Sequence, residues 1–306
     1  MTPFLACDWG TTNLRAWVVE ASGRVGAARD FPLGVSRLQP GEAAKRFLEE
    51  VRPALGAHDL PALLCGMIGS TLGWTPAPYE PTPASLESLG ARLQTVEAPG
   101  GAVRIVPGVR GPGLEGAPEV MRGEETQVLG WASQSPDRAR GQKLLCHPGT
   151  HAKWVLLEDG RIVRFLTAMT GELFDVLRKH SVLRTEAGSN DPQAFALGLK
   201  TAGEGDALST RLFTARSRVV AGDLPAASAA SYLSGLLIGS EVAGVPGLLG
   251  APLDAPVALV GEPGLCDLYA AAFTARGLTH TRHDGDEAVL AGLIALQGRL
   301  TEGAAA

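Results

Sequence analysis

The chain has 306 residues, 45% of them apolar and 19% charged, with a formal net charge of −5. These values fit a well-buried globular protein and exclude a disordered chain, and the length favours two domains over one core. The acidic balance shows no basic stripe of the kind a nucleic-acid partner requires, yet it leaves room for a small anion held at a local positive site.

In chain order, three strands come first, over 2–9, 14–20 and 24–31, with the hairpin turn ASGR between the last two. A helix is predicted over 41–55, then a buried run PALLCGMIG and the Pro-rich loop STLGWTPAPYEPTP (70–83). SLESLGARLQ reads as helix and VRIVPGV as strand. MRGEETQVLGWAS reads as a helix with glutamates in its first turn, where the helix dipole favours acids. The polar stretch SQSPDRARGQ (133–142) marks a domain boundary, which places one domain at 1–140 and a second at 141–306.

The second half opens as the first does. KLLCHPGTHAKWVLLEDGRIVRFL sets Cys146, Gly149 and Thr150 against Cys7, Gly10 and Thr11. Trp154, Val155, Gly160, Arg161 and Ile162 then match Trp17, Val18, Gly23, Arg24 and Val25, after a loop two residues shorter. This reads as an internal duplication. Two such domains can face each other across a cleft, each contributing a Gly-Thr turn whose N–H groups reach phosphate oxygens. Beyond it follow a loop and helix over 167–181, a long apolar helix at AASYLSGLLIGSEVAG, the strand–turn–helix VALVGEPGLCDLYAAAF, a last helix over 287–300 and a frayed tail, TEGAAA.

DWGTTNLR and CHPGTHAKW resemble the first and second phosphate motifs, and LVGEPGL the adenosine motif, of the actin/hexokinase/Hsp70-type ATPase superfamily. Within it, DWGTTNLRAW, CGMIGSTLGW, PYEPTP, MRGEETQ, PGTHAKWV, MTGEL and SGLLIGSEV together are similar to the 2-dehydro-3-deoxygalactonokinase family. The resemblance implies an α/β fold of two ribonuclease-H-like domains around a central cleft. It also implies ATP, Mg²⁺ and phosphorylation of the C6 hydroxyl of 2-dehydro-3-deoxy-D-galactonate. One position departs from many relatives: the acid that opens the second phosphate motif is His147 here, so Asp8 would hold the metal with water and ATP oxygens.

Asp8 with Gly10, Thr11, Thr12 and Asn13 fits either a side-chain-closed turn or a metal and phosphate site, and the matching turn at Gly149, Thr150 and His151 favours the second. HPGTH is a turn, so His147 and His151 lack the helical face of a metal pair. Gly261, Pro263 and Gly264 form a plain connecting turn or approach adenine and ribose. Glu124 and Glu125 either complement a helix N-terminus or supply the base that takes the acceptor proton. Similarity to exopolyphosphatase-type relatives favours Glu125, with Glu172 and Asp175 in reserve.

A sugar-acid carboxylate asks for a guanidinium, and Arg15, Arg37 and Arg122 are candidates, each equally readable as a surface arginine. Trp74 and Tyr79 either help their loop cover the sugar acid or anchor it. The chain carries no GxxxxGK[ST], HExxH or GxSxG. An exopolyphosphatase-type phosphohydrolase and a non-catalytic sugar or nucleotide sensor stand as alternatives, and a homodimer is open. The N-terminus shows no leader pattern, the apolar runs break short of a membrane span, and Cys7, Cys65, Cys146 and Cys266 form no CxxC pair. A cytoplasmic protein with reduced thiols and no membrane partner is expected.

Overall fold

The structure, a computed structural model, describes residues 1–185, 190–204 and 206–303. Its strands in chain order are β1 (Phe4–Trp9), β2 (Leu14–Val19), β3 (Val25–Phe31), β4 (Ala62–Gly66), β5 (Tyr79–Pro81), β6 (Gln94–Val96), β7 (Val103–Ile105), β8 (Gly108–Pro112) and β9 (Pro118–Met121). The principal helix α1 (Glu124–Ser133) follows, then β10 (Gln142–His147), β11 (Ala152–Glu158), β12 (Arg161–Ala168), α2 (Thr170–His180), α3 (Pro192–Ala202), α4 (Ala229–Leu249), β13 (Val257–Gly261), α5 (Pro263–Ala275), β14 (His280–Asp284) and α6 (Gly285–Gly303). The helix expected over 41–55 is present as a continuous helical stretch over 42–54 with a π-helical turn at Phe47–Val51.

The chain divides into two compact units. Unit 1 holds Met1–Gly141, Leu157–Arg164 and Gly285–Ala306, and unit 2 holds Gln142–Leu156 and Phe165–Asp284. The sequence partition at 140/141 therefore differs in two places: Leu157–Arg164 falls in unit 1, and so does the C-terminal segment, where α6 packs with unit 1. The cause of the latter is close backbone contact between helices: a Cβ on Gly292 would lie 2.2 Å from the carbonyl oxygen of Thr126 in α1. Of the expected tail, residues 301–303 complete α6, and residues 304–306 lie outside those described.

Unit 1 is built on a sheet of order β3-β2-β1-β4-β7-β6. β1 pairs antiparallel with β2 and parallel with β4, which runs parallel to β7. β1 and β4 (FLACDW and ALLCG) are nearly continuous apolar runs, as strands covered on both faces must be. β3 lies at the edge and is mostly exposed, with Arg29 and Asp30 along it, which blunts the edge against pairing with another chain. Leu5, Cys7, Trp9, Leu64 and Ile105 join Phe47 and Val51 in the core. A smaller sheet, β5-β8-β9, leads directly into α1.

Unit 2 repeats the plan with the order β12-β11-β10-β13-β14, in which β10, β13 and β14 are parallel; only the end of β11 from Leu157 and the start of β12 through Arg164 belong to unit 1. In both units the third, second and first strands lie side by side and two parallel strands continue the sheet beyond the first. This is the ribonuclease-H-like α/β arrangement, present twice. Among the described residues one helical stretch, Ala226–Leu249, is long and apolar enough to cross a membrane, contrary to the expectation that every apolar run stops short. Two-thirds of its most apolar window is buried in unit 2, where Tyr232, Leu236 and Ile238 are core residues, so it serves as a core helix.

Candidate active site

In unit 1, Asp8 lies one residue before the end of β1, beside Cys65 of β4 and opposite Arg15 of β2. The Cys65 thiol donates to Asp8 Oδ1 at 3.8 Å. Burial pushes the Asp8 carboxyl up to about 6; Arg15 and Cys65 oppose the shift, and the Asp286 and Glu124 carboxylates add to it. Arg15 is itself ion-paired to Asp286 at the start of α6. A half-buried carboxylate among other carboxylates, held by one guanidinium, offers hard oxygen and surplus negative charge to a cation.

The turn after Asp8 is held from one side. Val35, Ser36 and Gly34 donate their N–H groups to the carbonyls of Gly10, Thr11 and Thr12 at 3.0–3.1 Å. Peptide N–H and C=O groups point in opposite directions, so this contact turns the N–H side of Thr11–Asn13 away from the clamp, where an anion can be met. Gly34 permits the contact: a Cβ there would fall 2.1 Å from the Thr12 carbonyl carbon.

Glu124 and Glu125 open α1 after Gly123, whose φ of 114° suits glycine. The two carboxylates differ. Glu124 is half-buried and accepts from the Arg122 N–H at 3.1 Å. Glu125 is fully buried, accepting from the Gly123 N–H at 2.7 Å and the Thr126 hydroxyl at 3.1 Å. Burial, reinforced by Glu124, pushes the Glu125 carboxyl up to about 8 against those hydrogen bonds. Cys65 also bonds the Thr126 side chain, and the charges of both Asp8 and Glu125 act on its thiol, so unit 1 holds the two acids within electrostatic reach of one thiol.

In unit 2, the turn Pro148–His151 joins β10 to β11. Its clamp is the start of α2: the Glu172 N–H donates to the Thr150 carbonyl at 3.0 Å, and a Cβ on Gly171 would lie 2.6 Å from the Gly149 carbonyl oxygen. The His151 ring bonds the Glu172 carboxylate. A cavity of about 430 Å³ opens beside this turn, lined by Gly149, Thr150, Thr170, Phe174, Leu268 and Tyr269 among others. Gly261, Pro263 and Gly264 flank it without lining it. Gly261 packs near Pro148, and the Glu262 carboxylate takes the N–H groups of Gly264 and Leu265 at 2.9 and 2.7 Å, capping α5.

Comparison with known proteins agrees along the whole chain. The family model described as 2-keto-3-deoxy-galactonokinase matches residues 8–296. The chain belongs to this family. A Rhizobium meliloti (strain 1021) protein assigned as a 2-dehydro-3-deoxygalactonokinase is 38% identical over 304 residues, covering 95% of each chain. The Escherichia coli (strain K12) 2-dehydro-3-deoxygalactonokinase is 36% identical over 292 residues, covering 95% of this chain and 96% of that one. A Sinorhizobium meliloti crystal structure assigned to the same activity superposes with a TM-score of 0.85 at 36% identity, covering 97% and 99%.

The remaining candidates occupy different places in this family member. Arg122 stacks its guanidinium 4.3 Å from the Tyr79 ring centroid and donates to the Ala77 carbonyl at 2.8 Å, tying the Pro-rich loop to the strand end that precedes Glu124. Arg37 is exposed just after the segment that clamps the first turn. Trp74 turns inward, its indole 5.5 Å from the Phe47 ring, which anchors the loop to the unit 1 core. Of the reserve acids, Glu172 is the partner of His151. Asp175 is exposed and bonded to Lys179 at 2.7 Å, which holds its carboxyl below the usual range.

Sequence reasoning passed over the two clamps. Gly34 and Gly171 each lie three residues beyond the third strand of their unit, and they are 137 apart, the offset that relates Trp17 to Trp154. The signal was therefore present in the repeat. The cavity residues Phe174, Leu265 and Leu268 carry no such mark, because an apolar helical position reads as core whether it faces a core or a cavity.

Proposed function

We propose that this chain transfers the γ-phosphoryl group of ATP to the C6 hydroxyl of 2-dehydro-3-deoxy-D-galactonate, giving the 6-phosphate. Family membership supports the substrate. The observation that carries the reaction class is Glu125, a buried carboxyl raised to about 8 and fixed by the Gly123 N–H and the Thr126 hydroxyl. A carboxylate of that basicity takes a proton from an alcohol more readily than an ordinary one, which is the task of the base in phosphoryl transfer. The 430 Å³ cavity of unit 2 has apolar walls suited to adenosine, and the Gly149–His151 turn beside it suits a phosphate. The first turn offers the N–H groups of Thr11, Thr12 and Asn13 to phosphate oxygens.

Magnesium fits the donor set of unit 1. Among the described residues no group of three or more His, Cys, Asp or Glu side chains converges as a metal cage. Asp8 alone, within a field of neighbouring carboxylates, suits an ion that binds through one or two carboxylates and keeps several waters. When bound, the ion would neutralise charge on the phosphate oxygens. Arg122 and Arg15 remain the guanidinium candidates for the sugar-acid carboxylate. Four buried, unpaired cysteines fit a reducing cytoplasm, and the net charge of −5 fits small-molecule partners better than nucleic acid.

The test is ADP release measured with and without 2-dehydro-3-deoxy-D-galactonate, with its gluconate-derived epimer alongside. Release that depends on the galactonate-derived acid is expected. Release without an acceptor would replace the kinase by a phosphohydrolase, and turnover of a different sugar acid alone would overturn the substrate.

A further inference from the structure

Glu241 lies inside unit 2 on α4, only 6% exposed. It belongs to SGLLIGSEV, a stretch that neither the phosphate turns nor the adenosine turn accounts for. Donors from three other elements converge on its carboxylate. Trp154 Nε1 of β11 donates to Oε1 at 2.7 Å, and the Tyr269 hydroxyl of α5 donates to Oε2 at 2.8 Å. The Thr170 hydroxyl, at the start of α2, bonds it as well. All three donors are neutral. A buried carboxylate among neutral donors is a costly way to fill a core that a leucine or methionine would fill better.

The arrangement has a direction. Thr170 and Tyr269 both line the 430 Å³ cavity and are bonded to each other as well as to Glu241, whereas Trp154 packs into the core against Phe273. Thr170 also directly precedes Gly171, which rests on the Gly149–Thr150 backbone. Fixing Thr170 therefore fixes the clamp of the second turn, and fixing Tyr269 fixes the cavity lining beside it.

We propose that Glu241 is a positioning residue for the nucleotide, holding Thr170 and Tyr269 so that the cavity and the second phosphate turn are shaped before ATP arrives. The role rests on the kinase reading, which assigns this cavity to adenosine. Preorganisation lowers the ordering cost of binding, so its loss weakens nucleotide affinity and spares the acceptor side.

The experiment is calorimetric titration of the full chain with ADP, paired with steady-state kinetics and thermal melting. Glu241→Gln keeps the side-chain shape but presents an amide N–H₂ to a donor. It is expected to raise the Kd for ADP and the KM for ATP about tenfold, the loss of about one buried hydrogen bond. The KM for the sugar acid and kcat at saturating ATP should stay within about twofold, a split that general destabilisation would not produce. Tyr269→Phe keeps the ring on the cavity wall, removes the hydroxyl that bonds Glu241 and Thr170 and should share the effect; it decides the matter if Glu241→Gln does not fold. Trp154→Phe breaks a bond to the same carboxylate away from the cavity and should lower Tm while leaving ADP affinity unchanged. Wild-type affinity for ADP in both Glu241→Gln and Tyr269→Phe, or an equal weakening in Trp154→Phe, would reduce Glu241 to core filling. Absence of ADP binding by the wild-type chain would overturn the kinase reading itself, a result distinct from either.

Discussion

The two phosphate-type turns share a backbone and differ in charge. Each follows the first strand of a ribonuclease-H-like sheet, each carries Gly-Thr, and each is clamped by a glycine three residues past the third strand. Around the first gather Asp8, Arg15, Asp286, Glu124 and Glu125. At the second, the position of Asp8 is His147, and the neighbourhood is a His151–Glu172 pair beside an apolar cavity. What both units keep is main-chain geometry, which suffices to meet an oxyanion. What the first turn has beside it, and the second among the described residues does not, is a pair of acids raised by burial, Asp8 and Glu125, which suit proton and metal chemistry. On the proposed function, the repeat supplies two anion-binding scaffolds, of which the first also carries the acids for catalysis.

Breaking that difference should give the largest effect. Asp8→Asn removes the charge and little volume, and turnover is expected to fall by about 10³-fold or more, whereas His147→Asn at the equivalent position should cost less than about tenfold. Steady-state kinetics of the two variants side by side checks this. Comparable losses would mean that both turns carry chemistry and that the division of labour is wrong.

Glu125→Gln comes next, with an expected loss of about 10²–10³ in kcat. It also carries a pH signature. The base must be ionised, so wild-type kcat/KM should rise with pH and level off above about 8, and the variant should lose that limb. Stability runs the other way. The folded chain holds the Glu125 proton up to about 8, against an ordinary 4.5, so folding is favoured most below 4.5 and loses that contribution as pH rises through 8. Melting curves should therefore show Glu125→Gln losing less Tm than wild type between pH 5 and pH 9.

How much of this could be read beforehand depends on how local each feature is. The hairpins, the Gly-Thr turns and Asp8 lie in contiguous residues whose turn and strand chemistry speaks for itself. The clamps were legible only in part: Gly34 and Gly171 share the repeat's offset, but a glycine in FPLGV says nothing about Thr12 until the chain folds back on it. The return of α6 to unit 1 depends on a contact between Gly292 and Thr126, 166 positions apart, and leaves no local trace. Trp74 is open to two readings, a cover over the sugar acid or an anchor for its loop, and an indole beside a buried phenylalanine, which gains more from the core than from solvent, fits the anchor. Burial separates Glu125 from Glu124, and adjacent identical residues in a sequence cannot display it.

The shared scaffold can be tested apart from the chemistry. Gly34→Ala and Gly171→Ala place a methyl group against backbone, 2.1 and 2.6 Å from the nearest atoms, and each should cost about 1–3 kcal/mol of stability. Gly149→Ala meets its nearest neighbour, the His151 carbonyl, only at 4.0 Å, so its stability should stay within about 0.5 kcal/mol of wild type. Its KM for ATP should nevertheless rise, because the methyl group would occupy the space that the proposed function assigns to a phosphate. Denaturant melts combined with ATP titration separate the two outcomes. A Gly149→Ala enzyme with unchanged KM would mean that this turn does not meet the nucleotide.

The smallest effect is expected at Asp175, and it sharpens the comparison because α2 starts at the second turn and carries two acids of its own. A base must be basic and must be shielded from water, and Asp175 is neither: it is exposed, and its bond to Lys179 holds it ionised below the usual carboxylate range. An exposed pair spaced i, i+4 contributes little to stability and nothing to proton transfer, so Asp175→Asn should change kcat and KM by less than about twofold. Glu172, which holds the His151 ring, should affect the KM for ATP more than kcat when changed to Gln. If Asp175→Asn instead lost as much turnover as Glu125→Gln, the proton would have to leave through unit 2. The raised acid of unit 1 would then be a by-product of burial, with no part in the reaction.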